Sequence, residues 1–306
     1  MPTGFPLRRV RRSLLLAAVA MTLAVSAACA PLPPPYEVIP FDWGNTISPT
    51  HRDVAYGSHP RQLADLYLSS GERGTIVFLH GGGWVEGDKA NLLPSLLLHE
   101  LRRGYDLVSI EYRLAPKDPF PAAVEDLAMA LEWVREEGAA LGLSTQKVVV
   151  AGHSAGSTIA ALGAFGANED FPGADLPEVD GAVLFSGVYD FAGTPLSPWD
   201  SDGSHRDLEG PRGWLRPSGS RSAASAVRWL DAADPETLLV HGAQDPIVLL
   251  DQAHALAHRA DRVGHGARMR YVEVSSLAFE ERCRGHEPWC GTPVATMDDF
   301  LDRVAR

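Results

Sequence analysis

Basic residues are scarce in this chain: 27 Lys and Arg stand against 39 Asp and Glu among 306 residues, a formal net charge of -12. Residues 1–28 hold Arg8, Arg9, Arg11 and Arg12 and no acid, so the remainder of the chain carries -16. So acidic a surface repels phosphate backbones and anionic headgroups, which excludes nucleic acid as a partner. A long apolar run is also missing. The stretch LLLAAVAMTLAV at 14–25 covers roughly twelve residues, short of the ~20 that span a bilayer as a helix. Cysteine is limited to Cys29, Cys283 and Cys290, and no second ligand pair accompanies the last two, which argues against a zinc site around them. What remains is about 45% apolar, enough for one large core behind an N-terminal appendage.

That appendage reads as an export signal over 1–28, with its basic start, the apolar run and the small residues SAAC at 26–29. Cys29 follows the small residues as in a bacterial lipobox, although Ser26 stands where that pattern has Leu. Two readings stay open: a lipid anchor on Cys29 that holds the protein at a membrane, or a plain secretory signal cut near it. The Pro-rich stretch 29–50 is then a tether, and 51–306 the catalytic domain of an exported protein.

Along that domain, short apolar runs alternate with helical periodicity. ADLYL (64–68), TIVFLH (75–80), DLVSIEYR (106–113), KVVVAG (147–152), GAVLFSGVYD (181–190), ETLLVHGAQD (236–245) and RMRYVEVS (268–275) read as strands, most of them buried on both faces. Val124, Leu127, Leu131 and Val134 recur at helical spacing within 122–138, with Gly138 as the expected stop. Helices are also expected after Gly152, over 251–263 and within 293–305. The alternation implies an α/β fold, a mostly parallel central sheet flanked by helices. Residues 191–231 interrupt it with Ser, Gly, Pro and charge around Trp199, Trp214 and Trp229. They are expected to form a small insertion partly packed over the sheet edge, the alternative being a long surface loop.

GHSAG at 152–156 fits G-x-S-x-G between a buried strand and a helix, which makes Ser154 the candidate nucleophile. HGGGW at 80–84 follows another strand. A glycine run there lets N–H groups point at a developing oxyanion, so Gly82, with Gly81 or Gly83, and Ala155 after the nucleophile are the candidate donors. No G-K-[ST] ends the run, against a phosphate loop. Serine needs a base and the base needs an acid. Asp245 lies just past a buried strand; its rival Asp251 starts the next helix, where an acid is favoured in any case. His286 is the only histidine beyond RMRYVEVS and is the candidate base. His254 and His258 lie a helical turn apart, but no third ligand is evident, so no metal is expected. Trp84, beside the glycine run, is either a wall of the substrate pocket or a core residue.

These motifs together, HGGGW, EYRLAPKDPFPAAVED, GHSAG, HGAQDPIV and the late Gly285-His286, resemble the α/β-hydrolase superfamily over roughly 52–304. The likeness is to carboxylesterases related to hormone-sensitive lipase and to the acetyl- and feruloyl-esterase-like (BD-FAE-type) group. It implies an α/β-hydrolase fold, a triad of Ser154, Asp245 and His286, and an oxyanion hole from the N–H groups of Gly82, Gly83 and Ala155. The implied activity is hydrolysis of small to medium carboxylic esters through an acyl-enzyme, with a small-molecule ester as partner and no metal or organic cofactor. Arylformamidases share similar motifs, so amide hydrolysis stays open, as does a binding module without catalysis. Ser157, where many relatives have Gly, departs from the pattern.

Export favours oxidation, so Cys283 and Cys290 are expected to form a disulfide around His286. Closing a loop of about eight residues restricts the unfolded chain by roughly 2–3 kcal/mol.

Overall fold

The computed structural model describes residues 1, 47–90, 95–167, 171–172, 175–195, 213–215, 220–275 and 281–306. The expected signal, Cys29, the tether up to residue 46 and Trp199 lie outside them. Residues 36–306 form one compact unit.

Eight strands make one sheet: β1 His51–Ala55, β2 Leu63–Tyr67, β3 Gly74–Leu79, β4 Tyr105–Ile110, β5 Val148–His153, β6 Gly181–Phe185, β7 Glu236–Gly242 and β8 Met269–Val274. Their spatial order is β1-β2-β4-β3-β5-β6-β7-β8. The pairs β1/β2 and β2/β4 are antiparallel and all others parallel. Helices α1 Ser95–Arg102, α2 Ala122–Glu137, α3 Ala155–Phe165 and α4 Asp251–Val263 connect parallel strands, and α5 Val294–Val304 follows the last strand. This is the α/β-hydrolase architecture expected above.

Alternation along the strands divides the core into two layers. Val77, Leu79, Val148, Val150, Leu184 and Leu239 face α2, α3 and α4. Ile76, Phe78, Val149, Ala151, Val183 and Val240 face α1, α5 and the segment of Cys283 and Cys290. The near-continuous apolar strands follow directly, since β3 to β7 bury side chains on both faces.

Gly138 caps α2 as expected, although it keeps right-handed helical angles and leads into a 3-10 turn that ends at Gly142, at φ 93. Two readings are corrected. Strands β6 and β7 end at Phe185 and Gly242, earlier than expected, because Ser186 turns to φ 48 and the chain past Gly242 enters a tight loop. Strand β1 and helix α1 were not anticipated. Only Val54 of β1 is both apolar and partly buried, so no alternation marks it.

The turn between β4 and α2 is fastened by Asp126. Its fully buried carboxylate accepts from Gln62 Nε2 at 2.7 Å, from the Arg113 backbone N–H at 2.6 Å and from Arg113 Nε at 2.8 Å. Removing it strands the buried Gln62 amide and the Arg113 backbone N–H, and leaves the half-buried Arg113 guanidinium to Glu125 and the Ala122 carbonyl. Asp126→Ala is therefore expected to lower the unfolding free energy by about 3 kcal/mol. Urea titration checks this as a lower midpoint with an unchanged slope.

Candidate active site

The chemistry-bearing residues meet at one edge of the sheet because parallel strands place all their C-terminal ends there. Leu79 pairs with Gly152, Gly152 with Leu184, and Leu184 with Leu239, so the loops after β3, β5, β6 and β7 emerge side by side.

After β5 the chain turns directly into α3 at Ser154, whose φ of 54 and ψ of -120 are unfavourable for a residue with a Cβ. Its amide donates to Phe185 O at 2.9 Å, and its carbonyl accepts from Ser157 and Thr158 at 3.0 and 3.2 Å. Two glycines make the turn feasible. A Cβ on Gly152 would lie 2.3 Å from Gly156 O, and one on Gly156 would lie 2.2 Å from Leu79 O. Ser157 is buried, and its hydroxyl pairs with Tyr189 Oη at 2.9 Å, so a hydroxyl in place of glycine is accommodated.

The glycine run after β3 lies against this turn. A Cβ on Gly81 would come within 3.2 Å of Ser154 Cβ. Gly82 (φ 127), Gly83 (φ 57) and Trp84 (φ 66) follow in the left-handed region, and Gly82 O accepts from the amides of Val85 and Glu86. Among the described residues no acceptor pairs with the amides of Gly82 or Gly83, and Ala155, first in α3, has no intrahelical acceptor. The loop is held from behind: Tyr112 Oη donates to His80 O at 2.8 Å, Arg61 Nη2 to Gly87 O at 3.1 Å, and the Lys89 amide to Glu111 Oε1 at 3.1 Å. Burial lowers the His80 pKa to about 4.

Asp245 and His286 come together as the sequence suggests. His286 Nδ1 donates to Asp245 Oδ2 at 2.7 Å, which leaves Nε2 unprotonated and available as a base. Asp245 Oδ1 accepts from the amides of Ile247 and Val248 at 2.8 and 3.0 Å. His241 Nε2, which donates to Val248 O, also lies 3.4 Å from Asp245 Oδ2. Burial alone would raise the Asp245 pKa, but hydrogen bonds and charge from His241 and His286 outweigh it and hold the carboxyl well below the usual range. Asp251 lies at the start of α4.

The segment 281–291 comprises two short turns, Glu281–Arg284 and Pro288–Gly291, joined by the Cys283–Cys290 disulfide with His286 between them. Both cysteines are buried against Trp289 and α5, so this stretch is part of the core rather than a polar surface loop. A Cβ on Gly242 would lie 2.0 Å from Gly285 O, which presses the loop onto the end of β7.

Trp84 is 3% exposed and stacks on Trp214 at 4.7 Å, in a cluster with Phe191 and Phe120. The ring is thus a buried member of an aromatic core that ties the glycine loop to the 191–231 insertion. Trp229 extends that core through Phe171.

Two residues of the site escaped the sequence reading, His153 and His241. The first occupies the unspecified position of G-x-S-x-G, and the second lies in β7, where its spacing of four from Asp245 is the one signal in the sequence. Among the described residues, His99, Glu100 and Asp298 alone have metal-ligand spacing. Arg103 Nη1 already sits between the two carboxylates, at 2.8 and 3.0 Å.

The BD-FAE family profile matches residues 64–260. The chain is 29% identical to Esterase LipC of Mycobacterium tuberculosis over 234 residues, covering 73% of this chain and 58% of that protein. Carboxylesterase NlhH of the same species is 42% identical over 87 residues, 28% of this chain and 27% of that one. The chain spans about half the length, or less, of the curated relatives it matches. Among solved structures, a carbohydrate esterase from gut microbiota superposes with a TM-score of 0.68 at 22% identity, over 86% of this chain and 98% of that one. Esterase 2 of Thermogutta terrifontis, phosphonylated by sarin, does so at 0.66 and 21%, over 84% and 96%. These two likenesses concern the fold.

His153, fully enclosed, has its pKa lowered by burial to about 3 from the ordinary 6.5. Between those values the unfolded chain binds a proton there that the native chain refuses, so acidification favours unfolding. His153→Gln removes that difference. Its stability against pH, measured by denaturant titration between pH 4 and 6.5, is expected to be flatter than the wild type's by about 1.4 kcal/mol per pH unit.

Proposed function

The chain belongs to the BD-FAE family, and from that premise we propose that it is a serine hydrolase of small to medium carboxylic esters. The observation that carries the proposal is the 2.7 Å hydrogen bond from His286 Nδ1 to Asp245, at the same edge of the sheet as a Ser154 held in a strained turn.

In the first step Ser154 Oγ attacks the ester carbonyl while His286 Nε2 takes its proton. The tetrahedral oxyanion is received by the N–H groups of Gly82, Gly83 and Ala155. Collapse expels the alcohol with the proton from His286 and leaves an acyl-serine. Water, deprotonated by the same imidazole, then releases the acid and restores the serine. The relatives named esterases and the gathering of the C-terminal ends of β3, β5 and β7 at one edge of the sheet support this reading. The chemistry asks for no metal or organic cofactor.

A fluorophosphonate probe is expected to label the protein once, at Ser154, and Ser154→Ala to abolish labelling. The same variant should lose at least about 10⁴-fold in kcat/KM on p-nitrophenyl esters. Folded protein that neither labels nor hydrolyses would refute the proposal, and faster turnover of formyl-anilides than of esters would redirect it to amides. Cys283→Ser with Cys290→Ser is expected to melt about 5 °C lower and to lose turnover per folded molecule, since the frame around His286 is then open. Calorimetry and ester kinetics on one preparation check both.

A further inference from the structure

The unspecified letter of G-x-S-x-G is His153, and nothing in that pattern asks for an imidazole. Its Nε2 lies 2.8 Å from the backbone carbonyl oxygen of His286. A carbonyl only accepts, so Nε2 carries the proton and Nδ1 is bare. The ring is enclosed on three sides: by the His286 ring at 4.7 Å, by Trp289 edge-on at 4.8 Å, and by Gly81, where a Cβ would lie 3.0 Å from Nδ1. One side chain, rooted on the residue before Ser154, therefore touches both the His286 loop and the first glycine of the run after β3.

The other restraints on His286 come from elsewhere. Asp245 holds the ring, the Gln244 amide donates to Arg284 O at 2.8 Å, and the disulfide closes the loop on itself. The first two tie the loop to residues just past β7, and none reaches β5, from which Ser154 emerges. Among the described residues, the hydrogen bond from His153 is the one that links the end of β5 to this loop.

We infer that His153 is a positioning residue: by donating Nε2–H to the His286 carbonyl, it fixes the base relative to Ser154. The inference rests on the assignment of Ser154, Asp245 and His286 proposed above. An ordinary histidine would protonate in mild acid and repel the imidazolium that forms on His286. Burial keeps this one neutral, with His286, Asp245 and His241 as the titratable groups around it. Leucine would fill the space without a donor, whereas glutamine carries an amide N–H at similar reach.

The test compares His153→Leu and His153→Gln, each verified as folded by circular dichroism. With p-nitrophenyl acetate, His153→Leu is expected to lose about 10- to 100-fold in kcat, with KM within about twofold, as a misplaced base requires. His153→Gln should recover kcat to within about threefold of wild type. A second readout is independent of turnover: the far-downfield proton resonance of His286 Nδ1–H, bonded to Asp245, should shift or broaden in His153→Leu and return in His153→Gln. If His153→Leu does not fold, His153→Asn, whose amide stops a bond short of the carbonyl, takes its place. Wild-type kcat in the donorless variant, an unmoved resonance, or a folded His153→Gln no better than it overturns the inference. A wild-type protein inactive on every ester would remove the proposed function instead, and the resonance alone would then decide the role of His153.

Discussion

The strained backbone of Ser154 is the constraint around which this edge of the sheet is organised. A non-glycine residue in such a conformation costs about 1–3 kcal/mol and persists only where its surroundings over-determine it. They do so here from both sides. Strand β6 supplies the carbonyl that accepts the Ser154 amide, and α3 turns back two amides onto its carbonyl. Gly156 then packs on the carbonyls at the end of β3 so closely that no side chain fits. The register between β3, β5 and β6 is thus part of the site, because a slip of one residue would remove both supports and invert the core faces.

Each remaining group is held by a separate device at the end of its own strand. The glycine loop leans on Tyr112, Arg61 and Glu111, which pair with its backbone and leave its foremost amides unengaged. The His286 loop is packed into the core on its two cysteines and Trp289. Among the described residues, none of these anchors engages the amides of Gly82 or Gly83. The aromatic core of Trp84, Trp214 and Phe191 joins the glycine loop to the described part of the insertion in the same way.

The sheet and the three candidate reacting groups are legible because they follow local rules: continuous apolar strands, helical spacing at 122–134, and short motifs where glycine is a steric necessity. The less legible features depend on distant partners. Strand β1 has no apolar alternation and is held by backbone pairing to β2 and by the Asp65 carboxylate, which meets Arg52 and the Asp53 amide. Gly138 caps α2 as its sequence position suggests, but the 3-10 turn that carries the chain on to Gly142 has no local signal. The stretch around His286 looks polar because its charged residues are counted equally with the two cysteines and the tryptophan that are buried. His153 is the strongest case, for its partner is a carbonyl 133 residues away, which leaves no trace in any local pattern.

Asp245 determines where the proton can rest during the proposed reaction. Its Oδ1 is engaged by two amides, and its Oδ2 by His286 with His241 at longer range. Such a saturated carboxylate is stabilised as the anion, which is why its pKa falls despite burial. It therefore orients His286 and stabilises the imidazolium without taking the proton itself. The neighbouring His80 and His153 are held neutral by burial, with pKa values lowered to about 4 and about 3, so neither competes for that proton. In the proposed reaction a proton taken from Ser154 therefore passes to His286 Nε2 and from there to the leaving alcohol. His80 and His153 add donors and ring packing to this region without adding charge.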